Sequence, residues 1–167
     1  MTIEARRRAY VAAPLFNDAE KTFNLLLDAR LHTASLDTYL PQRDGGEGAE
    51  MVRRGLDEAT VSRELFDKDV AAVAACDLFV IVLDGRVPDE GACVELGLAH
   101  AWNKPCFGLQ TDSRRFGGTG TNNLMIDHAL DHGISHTLDE LVTAVTVFLG
   151  SNTLAQGHRV PDPSATR

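Results

Sequence analysis

Leu78-Phe79-Val80-Ile81-Val82-Leu83, followed by Asp84-Gly85-Arg86-Val87-Pro88-Asp89-Glu90-Gly91-Ala92-Cys93-Val94-Glu95-Leu96-Gly97, is the stretch whose reading decides the fold. The apolar run is continuous and bounded by Asp77 and Asp84. A strand buried on both faces, as in a parallel sheet, reads this way. A turn rich in Asp, Gly and Pro comes next, and helical periodicity follows. Strand, acidic turn and helix start are where an open α/β sheet builds a ligand site, because the C-terminal ends of its strands open into a crevice. Carboxylates at such a crevice suit a substrate that develops positive charge and needs protons delivered. They suit a phosphate poorly.

The same alternation runs outward in both directions. Upstream, Ala9–Ala13 reads as a strand ended by Pro14, and Asn17 with Glu20 forms a capping box for a helix whose apolar stripe is Phe23, Leu26, Leu27, Ala29 and Leu31. Leu36–Leu40 reads as a second strand, stopped at Pro41. Gln42–Gly48 is a polar, Gly-rich loop, and a helix beginning between Ala49 and Thr60 runs to Cys76. Downstream, the central helix ends before Lys104-Pro105, and Cys106–Leu109 is a fourth strand. After the loop Thr111–Thr121 come a short helix over Asn122–Leu130 and a fifth strand over Gly133–His136. Thr137 and Glu140 form a second capping box, for a last helix through Leu149. The expected fold is therefore α/β, a three-layer α/β/α sandwich on a five-stranded parallel sheet of order 2-1-3-4-5, flavodoxin- or Rossmann-like. The expected domain is 1–150, with 151–167 a polar, mobile tail.

Bulk composition narrows the function. The chain has 167 residues, 44% of them hydrophobic, which is one ordinary domain with a sizeable core. A net charge of -8 argues against nucleic acid or an anionic membrane surface as partner. No apolar run approaches membrane-spanning length. Three cysteines without a CxxC pair fit buried thiols in a reducing cytoplasm better than disulfides or a zinc site.

Three carboxylates stand out. Glu95 is placed in the opening turn of its helix, where exposed amides and the helix dipole would stabilise the anion. An ionised carboxylate is a usable nucleophile toward an anomeric carbon. Its plain structural reading is a helix-favoured acid. Asp89, in the turn, reads either as an N-cap or as a second carboxyl that holds a proton beside the first. Asp69 falls between Leu65 and Val73 on a stripe with Phe66 and Val70, so it points with apolar side chains toward a core or cleft. Tyr10, near the end of the first strand, could orient a carboxylate through its hydroxyl. The switch point should gather Tyr10, Phe16 and the segment from Asp89 to Glu95. Asn123 and Met125 read on their own as a cap and a core filler. Gly117–Gly120 opens no helix after a strand, so it is no phosphate loop. His128, His132 and His136 are interrupted by Gly133, which argues against a metal site.

Taken as an ordered set, Tyr10-Val-Ala-Ala-Pro14-Leu-Phe16, Leu40-Pro-Gln-Arg-Asp-Gly45, Asp69, Asp89-Glu-Gly-Ala-Cys-Val-Glu95-Leu-Gly97 and Asn123-Leu-Met125 resemble the nucleoside 2-deoxyribosyltransferases, over roughly Ala9 to Leu149. The resemblance implies Glu95 as nucleophile, Asp69 and Asp89 as the carboxylates that contact the base and handle its proton, and Tyr10 as the holder of the nucleophile. It implies Phe16 as a base-pocket aromatic, Gln42 and Asp44 in the base-recognition loop, and Asn123 and Met125 as residues lent to a neighbouring subunit's site. A homo-oligomer, dimer or hexamer, follows from that sharing. The implied partners are a small nucleoside and a free base, in nucleotide salvage, and the reaction calls for no metal and no cofactor. Two other functions fit the same residues less fully: an N-glycoside hydrolase of nucleosides or their 5′-phosphates, drawing on Arg43, Arg86, Arg114 or Arg115, and a non-catalytic nucleotide-sensing module.

Overall fold

A computed structural model describes residues 6–46, 48–112 and 122–152. Arg114, Arg115, Gly117–Gly120 and the tail from residue 153 lie outside the described residues. Five strands form one parallel sheet of order β2-β1-β3-β4-β5: β1 Arg8–Ala12, β2 Asp37–Tyr39, β3 Leu78–Val82, β4 Cys106–Leu109 and β5 Ile134–Ser135. The order is the one expected, and it puts the switch point between β1 and β3.

The residues of β3 are all buried, as a central strand sandwiched by helices requires. Parity along the strands then divides the core in two. Ala9, Val11, Leu78, Val80 and Val82 pack beneath α1 (Asp18–Thr33) and α6 (Leu138–Asn152). Tyr10, Ala12, Phe79, Ile81 and Leu83 face the other way, toward α3 (Glu58–Ala75), α4 (Glu90–Ala101) and α5 (Leu124–Ala129). A short α2 (Gly48–Arg53) precedes α3.

Local chemistry accounts for the boundaries. The Asn17 capping box is complete: Asn17 Oδ1 accepts from the Glu20 amide at 3.0 Å, and the Glu20 carboxylate accepts from the Asn17 amide at 3.3 Å. At α6 the Glu140 amide donates to Thr137 Oγ1, but the Glu140 carboxylate reaches the amide of His136 instead of Thr137. Lys104 is buried and donates its Nζ to the carbonyls of Ala74 and Cys76, at 2.6 and 2.7 Å, placing a cation at the end of α3. Gly85 takes a φ of +109°, which turns the chain out of β3. Asp84 then accepts from the amides of Thr111 and Asp112, tying that turn to the one after β4.

Several sequence expectations need correction. Leu26 and Ala29 face solvent, and α1 instead buries Asn24, Leu27, Asp28 and Leu31. The buried polar pair is held by specific partners that a hydrophobic stripe cannot foresee. Gln42–Gly48 is not all loop, because Pro41–Gly45 forms a single π-helical turn. The helix running to Cys76 begins at Glu58, within the expected window, and the short α2 is set apart from it where Gly55 takes a φ of +93°. Phe66 is 52% exposed, under the Arg63 guanidinium at 5.4 Å from its ring centroid. The three cysteines are free thiols. No helix among the described residues is long and apolar enough to cross a membrane.

Candidate active site

The site sits on the α3/α4 face of the sheet, at the C-terminal ends of β2 and β1. Ladder register pairs Tyr10 with Tyr39 on one side and with Phe79 on the other. The three rings stack: Tyr10 lies 5.3 Å from Tyr39 and 5.5 Å from Phe79, centroid to centroid, with planes 17° and 6° apart. Two phenols are thus fixed side by side, and each reaches a different carboxylate.

Tyr10 donates to Glu95 Oε1 at 2.6 Å. Tyr10 itself is fully buried, while Glu95, Asp69 and Asp89 each keep partial access to solvent. Burial pushes the Glu95 carboxyl up to about 7; the Tyr10 hydrogen bond pulls it down, and the charges of Asp69 and Asp89 raise it further. Glu95 is the sixth residue of α4, just beyond the opening turn expected for it, so helix-end amides do not set its charge. Desolvation dominates instead. Burial also raises the Tyr10 hydroxyl well above its usual value, with Glu95 adding to the effect, so Tyr10 stays a donor.

Asp69 Oδ1 accepts from Tyr39 Oη at 2.9 Å. Burial raises its pKa, against the lowering effects of the Tyr39 hydrogen bond and of Lys68. The stripe on α3 explains the placement: Val61, Leu65, Asp69 and Val73 recur every four residues, with Val61 and Val73 buried. Lys68 Nζ donates to the Gly45 carbonyl and pins the Pro41–Gly45 turn to α3. Gly45 lies against that carboxyl: a Cβ there would stand 3.7 Å from Asp69 Oδ1, in ordinary contact.

Asp89 is the N-cap of α4, accepting from the Ala92 amide at 2.8 Å, and its charge still bears on Glu95. The structure thus brings Glu95, Tyr10, Asp69 and Asp89 into one electrostatic neighbourhood. It gives the other expected residues different surroundings. Phe16 is 74% exposed beside α1. Gln42 accepts from Asn24 and donates to the Lys21 carbonyl. Asp44 accepts from the Leu40 amide and from Arg43, whose hydrogen bonds hold its carboxyl below its usual value.

Asn123 caps α5, accepting from the Met125 amide at 2.9 Å, and Met125 is 73% exposed. Both border cavities on the flank of α4 that carries Cys93. One is about 420 Å³, lined by Arg86, Pro88, Cys93, Gln110 and Asn123; the other is about 520 Å³, lined by Leu96, His100, Met125 and Ile126. Cys93 and Glu95 are separated by about 200° around the helix, so within one chain Asn123 and Met125 do not meet the nucleophile.

Sequence reasoning missed Tyr39, Phe79 and Asp28, and it offered Arg43 for a phosphate, whereas Arg43 pairs with Asp28 and Asp44. A usable signal existed for Tyr39. Tyr10 and Tyr39 both lie a few residues before a proline at a strand's end, and the order 2-1-3 makes their strands neighbours.

A family model described as nucleoside 2-deoxyribosyltransferase matches residues 9–148. No functionally curated protein matches the sequence. Among solved structures, a conserved protein of Enterococcus faecalis V583 is similar at 25% identity and a TM-score of 0.70, over 86% of this chain and 99% of that one. A 2-deoxyribosyltransferase of Bacillus psychrosaccharolyticus is similar at 20% identity and a TM-score of 0.65, over 81% and 90%. One from Leishmania mexicana is similar at 17% identity and a TM-score of 0.63, over 84% and 97%. At these identities the last two speak to the fold.

Proposed function

The chain belongs to the nucleoside 2-deoxyribosyltransferase family, and from that premise we propose that it moves a 2-deoxyribosyl group from one nucleobase to another, with retention, through a covalent bond to Glu95. The observation that carries this reading is the pairing of Tyr10 with a largely buried Glu95 next to an Asp69 that has no arginine partner among the described residues. Burying such carboxylates lowers stability, and acids perturbed in this way cluster at functional sites. A non-catalytic sensor would have no need of the arrangement.

Glu95 attacks the anomeric carbon as the carboxylate. The bond from that carbon to the base nitrogen breaks, its electron pair goes to the base, and Asp69 delivers the proton that neutralises it. An incoming base then attacks the same carbon from the face the first base left. The bond to Glu95 breaks, its electron pair returns to the carboxylate, and the incoming base's proton passes to Asp69. Two inversions give retention. The chemistry needs one carboxyl ionised and one protonated, and mutual repulsion between neighbouring carboxylates favours such a state. Tyr10 biases Glu95 toward the charged form. General acid help to the leaving base is worth about 10²–10⁴-fold.

A second copy of the chain completes the site in this reading. Leu124 and Met125, 65% and 73% exposed, stand beside the groove between α4 and α5 and supply the apolar surface for it. Asn123 and Met125 would then serve the partner's Glu95. Water in place of the incoming base would make the same carboxylates an N-glycoside hydrolase. Arg43 is not available to recognise a 5′-phosphate for such a reaction, being held by Asp28, Asp44 and the Thr38 carbonyl.

Incubation with deoxyinosine or thymidine and a second free base tests the proposal. The expected product is the new deoxyribonucleoside, seen by chromatography. Free deoxyribose without a new nucleoside would replace transfer by hydrolysis, and no product at all would refute both.

A further inference from the structure

We propose that Tyr39 is a positioning residue for departure of the base: its hydroxyl fixes Asp69 Oδ1 as a hydrogen-bond acceptor and leaves Oδ2 as the oxygen that carries the proton. The proposal rests on the transfer reading above, with Asp69 as the acid.

The geometry is specific. The bond from Tyr39 Oη to Oδ1, at 2.9 Å, is the one hydrogen bond the Asp69 side chain makes among the described residues. A phenol donates to the carbonyl-type oxygen of a protonated carboxyl, so the proton lies on the other oxygen. Tyr39 cannot swing away easily, because its ring is the end of the stack with Tyr10 and Phe79. Tyr39 from β2 and Lys68 from α3 act on Asp69, whose charge acts in turn on Tyr10 of β1 and Glu95 of α4, while Asp44 acts on Tyr39 from the π-helical turn. Lys68 donates to the Gly45 carbonyl, so the hydroxyl of Tyr39 is the donor in direct contact with the carboxyl. Burial and the carboxylates beside it raise the Tyr39 pKa, which keeps that hydroxyl a donor throughout.

The role follows from the change in charge. As Asp69 releases its proton, the carboxylate left behind accepts the same hydrogen bond more strongly. Tyr39 therefore assists the transfer as well as aiming it. Tyr10 and Tyr39 are two donors on adjacent strands with separate clients, one serving the nucleophile and one the acid.

Tyr39→Phe keeps the ring and removes the hydroxyl. With deoxyguanosine as donor, its kcat should fall about tenfold, the size expected for a hydrogen bond to a charged group. With N7-methyl-deoxyguanosine, whose base departs neutral without a proton, kcat should fall less than about twofold. Equal losses on both donors, or none on either, would overturn the proposal. A second measurement does not depend on turnover. Carboxyl carbon NMR should show Asp69 titrating at higher pH in Tyr39→Phe than in the wild type, because a stabiliser of the anion is gone. An unmoved Asp69 midpoint would also overturn the Tyr39 role, even in a chain that exchanges bases. A wild-type chain inactive on both donors would instead bring down the transfer reading, and the NMR result would still decide whether Tyr39 tunes Asp69.

Discussion

Thr38 and Tyr39 are neighbours on β2, they face opposite sides of the sheet, and each meets a carboxylate. Thr38 Oγ1 donates to Asp28 on the α1 side, while Tyr39 donates to Asp69 on the α3 side. Beyond that first hydrogen bond the two surroundings diverge. Asp28 also accepts from the Arg43 guanidinium at 2.9 Å, and His32 lies 3.6 Å away. Arg43 in turn holds Asp44 and the Thr38 carbonyl. Asp69 has a phenol and the more distant charge of Lys68, and its own charge acts on Glu95. One acid, buried, is compensated and ties the Pro41–Gly45 turn to α1; the other, half-buried, has no such compensation among the described residues. Burial of a carboxylate therefore says little about its purpose until its partners are known.

The contrast can be broken most severely at Glu95. Glu95→Ala should lower base exchange by at least about 10⁴-fold, as removal of a covalent nucleophile does, with the circular dichroism spectrum unchanged. Near-normal turnover would remove the nucleophile assignment. Asp69→Asn comes next, with an expected loss of about 10²–10³-fold in kcat on donors whose base must be protonated.

Stability should report the same difference through pH. Glu95 titrates at about 7 in the folded chain, against an ordinary 4.5. The folded state thus binds this proton more tightly than the unfolded one. The stability it brings is fully present below about pH 4.5 and is lost as pH rises through 7, a swing of about 3 kcal/mol by linkage. Denaturant titrations at pH 4 and pH 8 should show that loss in the wild type and not in Glu95→Gln. An equal pH slope in both would contradict the buried-acid picture. The smallest effect belongs to the compensated side. Arg43→Ala should destabilise by about 2 kcal/mol, less than a fully buried pair because the guanidinium is partly exposed. It should leave the pH dependence due to Glu95 in place, which a paired comparison of the denaturation curves checks.

Much of this was legible in the chain. Continuous apolar runs such as Leu78–Leu83 belong to strands covered on both faces, and the caps at Asn17 and Thr137 need only local backbone geometry, so the element order and the parallel sheet could be read. Asp69 announced itself by lying on an apolar stripe. Asp28 escaped notice because its partners, Thr38 and Arg43, come from another element, and no spacing within α1 reveals them. Phe16 was expected at the switch point from the strand order, and Gln42 and Asp44 were brought to attention by resemblance. In the folded chain Phe16 is exposed, and the other two are engaged by Asn24, Lys21 and Arg43.

By itself the sequence determined the alternation of strands and helices and the parallel sheet they build, because those depend on hydrophobic period and local capping. Tertiary structure alone decided which phenol serves which acid, and which acid is compensated by an arginine. Those depend on the register of β2, β1 and β3 and on which side of each strand a residue faces. A shift of one residue in any of the three would exchange the two environments.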